Sequence, residues 1–323
     1  MKFADAAWLV LAVLSFAFPT AAVSDSPPSS LRIPPSASFP GPLLSQAPAL
    51  ADVLARAASR AAALADSTRV VTCEERYVQK LSKLRAIVGY EYSGPVGSRS
   101  EVTAAPLDGR EWVAELAVLG TPSNEPFGFP WMEFRDVVSV DGKPVGDGVS
   151  RLKVLQTDPS DAAGIKAVQY SGEAGRHVFG RLVRAVDLPR AAFVILHASN
   201  QPRFEFKKGG EKVVGGVRTW EIRFKEKTKP TMIRASGGKD SISSGSFWID
   251  PETGNVVMSL LKSPDSSDFY DEQTVTYQEA PGTGLWLPSG LKERVVDDEA
   301  GLRVEASATF TNWRVVPRGK KRP

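Results

Sequence analysis

The sequence predicts an α+β protein built on a strongly curved antiparallel sheet, an open half-barrel of about ten strands with helices covering its concave face. Three observations support this fold class. Much of the chain after residue 202 alternates apolar and polar residues with a period of two, as expected of strands with one buried face. Turn sequences separate these segments, and a helical pattern precedes them. A sheet of this many strands is expected to curl rather than stay flat.

Length and charge limit the functional classes. The chain has 323 residues, of which 42% are hydrophobic, and its formal net charge is only +3. This composition is typical of a protein with a large core. It predicts no strongly basic surface, so no nucleic-acid partner is expected. A short basic tail, residues 317–323, ends the sequence.

Residues 1–22 have the pattern of a secretory signal peptide. Lys2 precedes an apolar run over residues 6–18, and small residues follow at Thr20-Ala21-Ala22. The run is too short to span a bilayer as a stable helix, so a periplasmic or secreted protein with no transmembrane span after signal cleavage is expected. An uncleaved inner-membrane anchor is the alternative. Residues 23–47 are rich in Pro and Ser and predict a disordered linker.

The folded domain is predicted to span residues 48–316. Its first element is an alanine-rich helix beginning at Pro48, with apolar residues recurring at spacings of three and four. In the strand predicted over residues 131–140, the alternation places Met132, Phe134, Val138 and Val140 on one face. The Asp141-Gly142 pair that follows predicts a type I′ hairpin turn.

Residues 149–198 break the period of two and predict a helical insertion. Ser150 is placed to cap one short helix, Ser160-Asp161 begins a second, and residues 191–197 form a third that is apolar on nearly every side. Short helices of the last kind are normally buried. The insertion is therefore expected to pack on the sheet or to fill it.

Strand patterns resume after Pro202. Lys208-Gly209-Gly210 predicts a hairpin turn, and residues 303–311 show the most regular alternation in the chain. Residues 245–258 predict two strands joined by the turn Asp250-Pro251-Glu252-Thr253-Gly254, where Pro fixes its own φ and Gly can adopt a positive φ.

No catalytic, metal or cofactor site is predicted. Two histidines, His177 and His197, are too few for a typical zinc site, and no phosphate-loop, dinucleotide or Gly-x-Ser-x-Gly motif occurs. Glu74 and Glu75 are adjacent in a strand pattern and should point to opposite faces. The single cysteine, Cys73, is expected to be a small buried residue. The sequence favours a non-enzymatic protein without a cofactor.

The phrase Gly-Ser-Phe-Trp-Ile-Asp-Pro-Glu-Thr-Gly at 245–254, after a signal peptide and an amphipathic helix, resembles the LolA/LolB-like family of periplasmic lipoprotein carriers and receptors. Leu285-Trp286-Leu287-Pro288 and residues 309–313 resemble the closing strands of related secreted bacterial proteins. The resemblance implies a half-barrel that takes up lipid or lipoprotein acyl chains. Arg76 is a candidate for the family's lipoprotein-binding arginine only by its place in an early strand.

Two functions are predicted as alternatives. The first is an exported carrier that binds an apolar ligand, such as a lipid, an acyl chain or a lipoprotein, in the concavity of the sheet. The second is a non-enzymatic envelope scaffold that binds a protein partner through the linker or the sheet edges. The residues predicted to line the ligand site are Trp220, Ile222, Phe224, Phe247, Ile249, Val304 and Phe310. A filled core against the helices is the other interpretation of the same residues.

Overall fold

The structure is a computed structural model that describes residues 48–64, 69–87, 101–120, 131–158, 161–177, 191–234, 239–266, 269–297 and 300–317. The predicted signal peptide, the linker and residues 318–323 of the basic tail lie outside these ranges. Their assignments stay predictions.

Thirteen strands occur among the described residues, most of them long and amphipathic. They are β1 (Arg69–Ile87), β2 (Glu101–Gly120), β3 (Trp131–Val140), β4 (Lys143–Pro144), β5 (Phe204–Val214), β6 (Val217–Glu226), β7 (Ile233–Arg234), β8 (Asp240–Ser241), β9 (Ser244–Ile249), β10 (Val256–Ser266), β11 (Phe269–Ala280), β12 (Leu285–Asp297) and β13 (Leu302–Pro317).

Eleven of these strands form one antiparallel sheet that does not close on itself. Its order is β4-β3-β2-β1-β13-β12-β11-β10-β9-β6-β5, while β7 and β8 pair separately. The sequence-based prediction of one large open antiparallel sheet is therefore confirmed. Consecutive strands are neighbours except where β1 pairs with β13 and β6 pairs with β9. The first of these pairings places β1 inside the sheet, between β2 and β13.

The described helices are few and short. They are α1 (Leu50–Leu64), α2 (Val154–Thr157), α3 (Asp161–Ala174) and α4 (Ala191–Leu196), with single 3-10 turns at 151–153, 175–177 and 201–203. Ser150 caps the first turn of the insertion as predicted, because its Oγ accepts a hydrogen bond from the Leu152 amide. All six residues of α4 are buried, as its apolar composition predicts. None of the described helices has the length and hydropathy needed to cross a membrane.

The strand register assigns the side chains to two faces of the sheet. One face bears a row of cross-strand neighbours that runs over eight strands, and we call it the covered face. In order from β6 to β2 this row is Ile222, Phe247, Ser259, Val275, Leu291, Ala308, Tyr77 and Trp112. Buried residues of α1 and α4 belong to the same apolar cluster as most of this row. The two helices therefore pack on the covered face.

The other side of the sheet, which we call the second face, carries a smaller apolar cluster near β2 and β3. There Leu152 and Leu155 of the insertion, together with Ala167 of α3, pack against Phe134 and Leu119. The helical insertion thus contacts both faces, α4 on one and α2 with α3 on the other. Ser171 of α3 also accepts a hydrogen bond from the Arg135 amide, so α3 protects a backbone donor of β3.

The predicted hairpin turn at Gly209-Gly210 is wrong. β5 continues through these glycines with a register shift between Lys208 and Glu211, and the chain reverses at Gly215-Gly216, whose φ angles are +55° and +82°. Both glycine pairs suit a turn, but only a turn at Gly215-Gly216 lets Val214 pair with Val217 across the hairpin. The first pair is accommodated as a bulge in the strand.

The predicted single face for Met132, Phe134, Val138 and Val140 is also wrong. Ala114 of β2 pairs with Val137 of β3, but the preceding residue, Val113, pairs with Ser139. Val138 is therefore an extra residue in β3. One extra residue in a strand inverts the side-chain alternation beyond it. As a result, Phe134 lies in the cluster of the second face while Val140 packs against the core of the covered face. The turn itself is as predicted, with positive φ at both Asp141 and Gly142.

Candidate ligand-binding face

All seven predicted lining residues point to the covered face. Each has at most 4% of its surface exposed. Six of them belong to the large apolar cluster that includes α1 and α4, while Val304 packs with Val295 and Leu81 in a small separate cluster. The structure therefore brings together the residues of the paired strands β6 and β9, while Phe310 and Val304 of β13 lie on the same face four strands from β9. Their role in lining a ligand site stays a prediction.

Aromatic rings form a continuous series at the β5 end of this face. Phe224 and Phe247 stack with ring centroids 4.5 Å apart and planes 10° from parallel. Phe204 meets Phe224 edge to face at 5.9 Å, and Phe206 lies 6.2 Å from Phe204. Aromatic pairs in these arrangements gain stabilisation beyond the area they bury. The series runs from the middle of the cluster to the edge strand of the sheet.

A surface groove of about 640 Å³ opens where this series ends. Phe206, Pro202 and Ala198 form one wall, and the outward side of α1 forms the other with small side chains. The residues of α1 that line it are Ala51, Ala55, Ala58, Ser59 and Ala62. Its volume is within the roughly 300–1,000 Å³ of small-molecule sites. Because Phe206 belongs both to the groove and to the aromatic series, the groove is contiguous with the predicted lining.

The β9–β10 turn holds α1 on the sheet. The Arg56 guanidinium donates a hydrogen bond to the Pro251 carbonyl (2.8 Å), and that of Arg60 donates to the Thr253 carbonyl (3.1 Å). Gly254 has φ +75°, as the sequence predicts, and a Cβ built on it would lie 2.5 Å from Cβ of Arg56. The turn and the helix therefore touch at a position that admits only glycine.

The turn also supplies its own framework. The Asp250 carboxylate accepts hydrogen bonds from the Glu252 amide (2.9 Å) and the Thr253 hydroxyl (2.7 Å), and the Gly254 amide donates to the Asp250 carbonyl (2.9 Å). These bonds fix the two carbonyl groups that α1 contacts.

A second contact ties α1 to α4. The side-chain amide of Gln201 donates to the carbonyl groups of Leu54 in α1 (3.0 Å) and Leu196 in α4 (2.8 Å). Four residues of α1 are buried against the core, namely Val53, Ala57, Ala61 and Leu64. Two of these are alanines, so α1 buries little apolar surface for its length.

The covered face also has a buried polar region that the sequence did not predict as part of the site. Tyr77 donates to Glu293 (2.8 Å), and the amide of Gln273 donates to the other oxygen of the same carboxylate (3.0 Å). Nearby, the hydroxyls of Ser259 and Tyr277 are 3.0 Å apart. Burial raises the pKa of Tyr277 well above its ordinary value. The alternation Leu291-x-Glu293-x-Val295 gives the signal that would have placed Glu293 here.

A buried ion pair lies on the same face near the β3 edge. The Arg135 guanidinium contacts the Glu75 carboxylate through two bonds of 2.6 and 3.0 Å and lies 5.3 Å from the Trp112 ring. By contrast, the side chain of Arg76 is 62% exposed and pairs with Glu111 on the second face. The candidate role of Arg76 in a ligand site on the covered face is therefore not supported. Arg135, unlike Arg76, faces the covered side.

The single cysteine and the two histidines belong to no metal-binding cluster in the part of the chain that the structure describes. Cys73 is fully buried as predicted, and burial raises the pKa of its thiol well above the usual value. Burial lowers the pKa of both His177 and His197. Within the described ranges, no group of three or more His, Cys, Asp or Glu residues is placed to hold a metal ion.

Comparison with known proteins gives matches of structure only. No family model and no curated protein sequence matches this chain. A DUF1329 family protein from Desulfovibrio piger matches with a TM-score of 0.31 and 10% identity, over 82% of this chain and 92% of that one. An outer membrane lipoprotein-sorting protein domain from Vibrio parahaemolyticus matches with a TM-score of 0.33 and 8% identity, over 83% of this chain and 94% of that one.

A LolA superfamily protein from Nitrosomonas europaea also matches, with a TM-score of 0.32 and 8% identity over 81% of this chain and 94% of that one. LolA superfamily and lipoprotein-sorting proteins, which the sequence resembles, are thus among the structures that match. At these scores the similarity identifies no function, and the contacts within this chain carry the functional inference.

Proposed function

We propose that the protein is an exported, non-enzymatic carrier that binds an acyl chain or a similar apolar ligand on the covered face of its sheet, in the periplasm. One observation carries the proposal: the groove beside α1 is continuous, through Phe206, with the aromatic series that ends at Phe247. The ligand enters at the groove and extends towards β9. The signal-peptide pattern of residues 1–22 supports the location.

Ligand binding on this face requires α1 to move, because six of the predicted lining residues are buried in the same apolar cluster as the inward side chains of α1. The buried side chains of α1 are one valine, one leucine and two alanines, and exposing them costs roughly 5–8 kcal/mol. An acyl chain of on the order of twelve methylenes gains roughly 10 kcal/mol on leaving water, at about 0.8 kcal/mol per methylene. The ligand can therefore replace the helix as the cover of the aromatic series.

The edge of the groove suits an elongated ligand. Small side chains along α1 leave a smooth apolar wall, and Ser59 and Gln201 are the polar residues of the groove lining. A carboxylate or ester head group can lie beside them in contact with water, and the hydrocarbon chain can lie against the phenylalanines. Such a division between apolar walls and few polar groups is typical of small-molecule sites.

The test is uptake of a fluorescent fatty acid by delipidated protein, measured for the wild type and for two tryptophan variants. Ala58→Trp fills the groove and is expected to lower affinity at least tenfold. Thr309→Trp adds the same side chain on the exposed second face of β13 and is expected to bind as the wild type does. Absence of saturable uptake by the wild type, or equal affinity of the Ala58→Trp variant, would overturn the proposal.

The alternative of an envelope scaffold that binds a protein partner stays a prediction. Among the described residues, no contact favours it over ligand binding. Crosslinking in native envelopes that recovers a defined protein partner, together with no fatty-acid uptake, would establish it instead.

A further inference from the structure

Positive charge is concentrated in the β5–β6 hairpin and the residues that flank it, at one end of the sheet. Residues 203–230 contain nine basic and four acidic side chains, a net charge of +5, whereas the whole chain has +3. The rest of the chain therefore has a net charge of −2. β5 is the last strand in the sheet order, so this charge lies at an edge. A nearly neutral protein thus has one strongly basic edge.

Several of these cations have no carboxylate partner. Lys207, Lys208 and Arg223 form ion pairs within the hairpin, at 2.9, 3.3 and 3.6 Å from glutamates. Arg203 pairs with Glu226 at 3.4 Å. Among the described residues, no ion pair within 4 Å involves the other five cations of this segment, which are Lys212, Arg218, Lys225, Lys227 and Lys229. Glu205 pairs with Lys207, which lowers the pKa of its carboxyl together with the nearby Lys227 and Lys225, so the cations outnumber the carboxylates here and leave positive charge for an external anionic group.

Partly exposed apolar side chains lie beside these cations, Trp248 on the second face and Val213 on the opposite side of the hairpin. Trp248 of β9 is half-buried and pairs with Met258 of β10, and the Lys212 ammonium lies 5.9 Å from the Trp248 ring. At the hairpin tip, Val213 is 66% exposed. Tryptophan next to lysine, with an apolar residue beyond them, is the combination found at the boundary between lipid head groups and acyl chains.

We propose that this edge, formed by the β5–β6 hairpin and Trp248, binds the surface of an anionic phospholipid bilayer. The unpaired cations contact the phosphates, while Trp248 and Val213 enter the head-group layer. This inference does not depend on ligand binding at the covered face. A bilayer fits better than an acidic protein, because the cations are spread along the hairpin and its following loop rather than gathered around one carboxylate-sized site.

The test is flotation of the full chain with vesicles of phosphatidylcholine alone and of phosphatidylcholine with phosphatidylglycerol. The wild type is expected to bind the anionic vesicles more strongly, and added salt should weaken the binding. A variant with Lys212, Lys225, Lys227 and Lys229 changed to Gln should lose about fivefold in partition coefficient for each cation removed. Trp248→Ala should lower binding to anionic vesicles without changing the salt dependence.

The matched control removes four cations elsewhere, by changing Lys80, Lys83, Lys166 and Arg176 to Gln in the full chain. It has the same net charge as the hairpin variant and is expected to bind vesicles nearly as the wild type does. Equal losses in the two variants, or no preference of the wild type for anionic vesicles, would overturn the proposal. So would competition by soluble polyglutamate that removes the protein from the vesicles, since it would indicate an acidic polypeptide as the partner.

A protective role of the lysines at the sheet edge predicts a different result. Lysines on an edge strand discourage association between sheets. If that were their only role, the hairpin variant would self-associate while vesicle binding stayed unchanged. Size-exclusion chromatography of the same variants measures this directly.

Discussion

Arg56 of α1 donates a hydrogen bond to the carbonyl oxygen of Pro251 across 2.8 Å, and this contact joins the first helix to the turn between β9 and β10. The turn is the Asp-Pro-Glu-Thr-Gly segment that resembles the LolA/LolB-like family. Its rigid form is thus used to present two carbonyl groups to a helix. The cover of the candidate ligand-binding face depends on this contact, because α1 buries few large side chains.

Replacement of Gly254 by alanine should loosen α1 from the sheet. The residue has φ +75°, and the new Cβ would lie 2.5 Å from Cβ of Arg56 and 2.7 Å from the Ala57 amide nitrogen. We expect a loss of unfolding free energy greater than the roughly 1–3 kcal/mol of backbone strain alone. Gly282→Ala is the matched control, because it has the same φ and no atom within 4 Å of the built Cβ. Equal losses in urea unfolding would show that the contact with α1 is unimportant.

The buried Glu75–Arg135 pair should matter far more than an exposed pair of the same kind. Glu75→Ala leaves the Arg135 guanidinium without this partner in a site where its side chain is only 11% exposed, and should cost roughly 3–5 kcal/mol. Glu111→Ala removes the partner of exposed Arg76 and should cost about 1 kcal/mol or less. Denaturant unfolding of the two variants measures the difference. Similar small losses would mean that the buried pair does not stabilise the β3 edge.

Tyr277 should make stability fall in alkaline solution. Burial raises the pKa of its phenol, so between the ordinary value of 10.0 and the higher native value only the unfolded chain is ionised. The unfolded state then binds fewer protons, and the free energy of unfolding decreases by about 1.4 kcal/mol per pH unit as the pH rises above 10. Tyr277→Phe should remove this contribution. An unchanged slope above pH 10 in the variant would contradict the assignment.

Side-chain alternation predicted correctly which of the proposed lining residues share a face of the sheet, while their role as a ligand site stays a prediction. Residues 218–224 and 303–311 each present one apolar row, and β9 pairs with β6 so that Phe247 and Ile249 extend the first row. The registers of the strands between β9 and β13 place both rows on the same face. The same rule would have placed Glu293 among them. A rule restricted to apolar residues leaves Glu293 out, although the hydrogen bonds from Tyr77 and Gln273 allow its carboxylate to be buried.

Errors arose where the backbone departs from regular pairing. The bulge near Val138 inverts the faces of β3, and the two Gly-Gly pairs of the β5–β6 hairpin are locally equivalent, so only cross-strand pairing decides which one turns. The distribution of the helices between the two faces was likewise not predictable. It depends on tertiary contacts such as those of Leu152 with the second face, which periodicity within a helix does not specify.

Photo-crosslinking with a diazirine-labelled fatty acid tests the central claim most directly. If an acyl chain binds on the covered face, crosslinks mapped by mass spectrometry should fall on Phe206, Phe224 and Phe247, and unlabelled fatty acid should suppress them. Their strand neighbours Arg223 and Ser246, which pair with each other on the second face, serve as internal controls. Crosslinks confined to these neighbours, or crosslinks that excess unlabelled fatty acid does not reduce, would contradict the account.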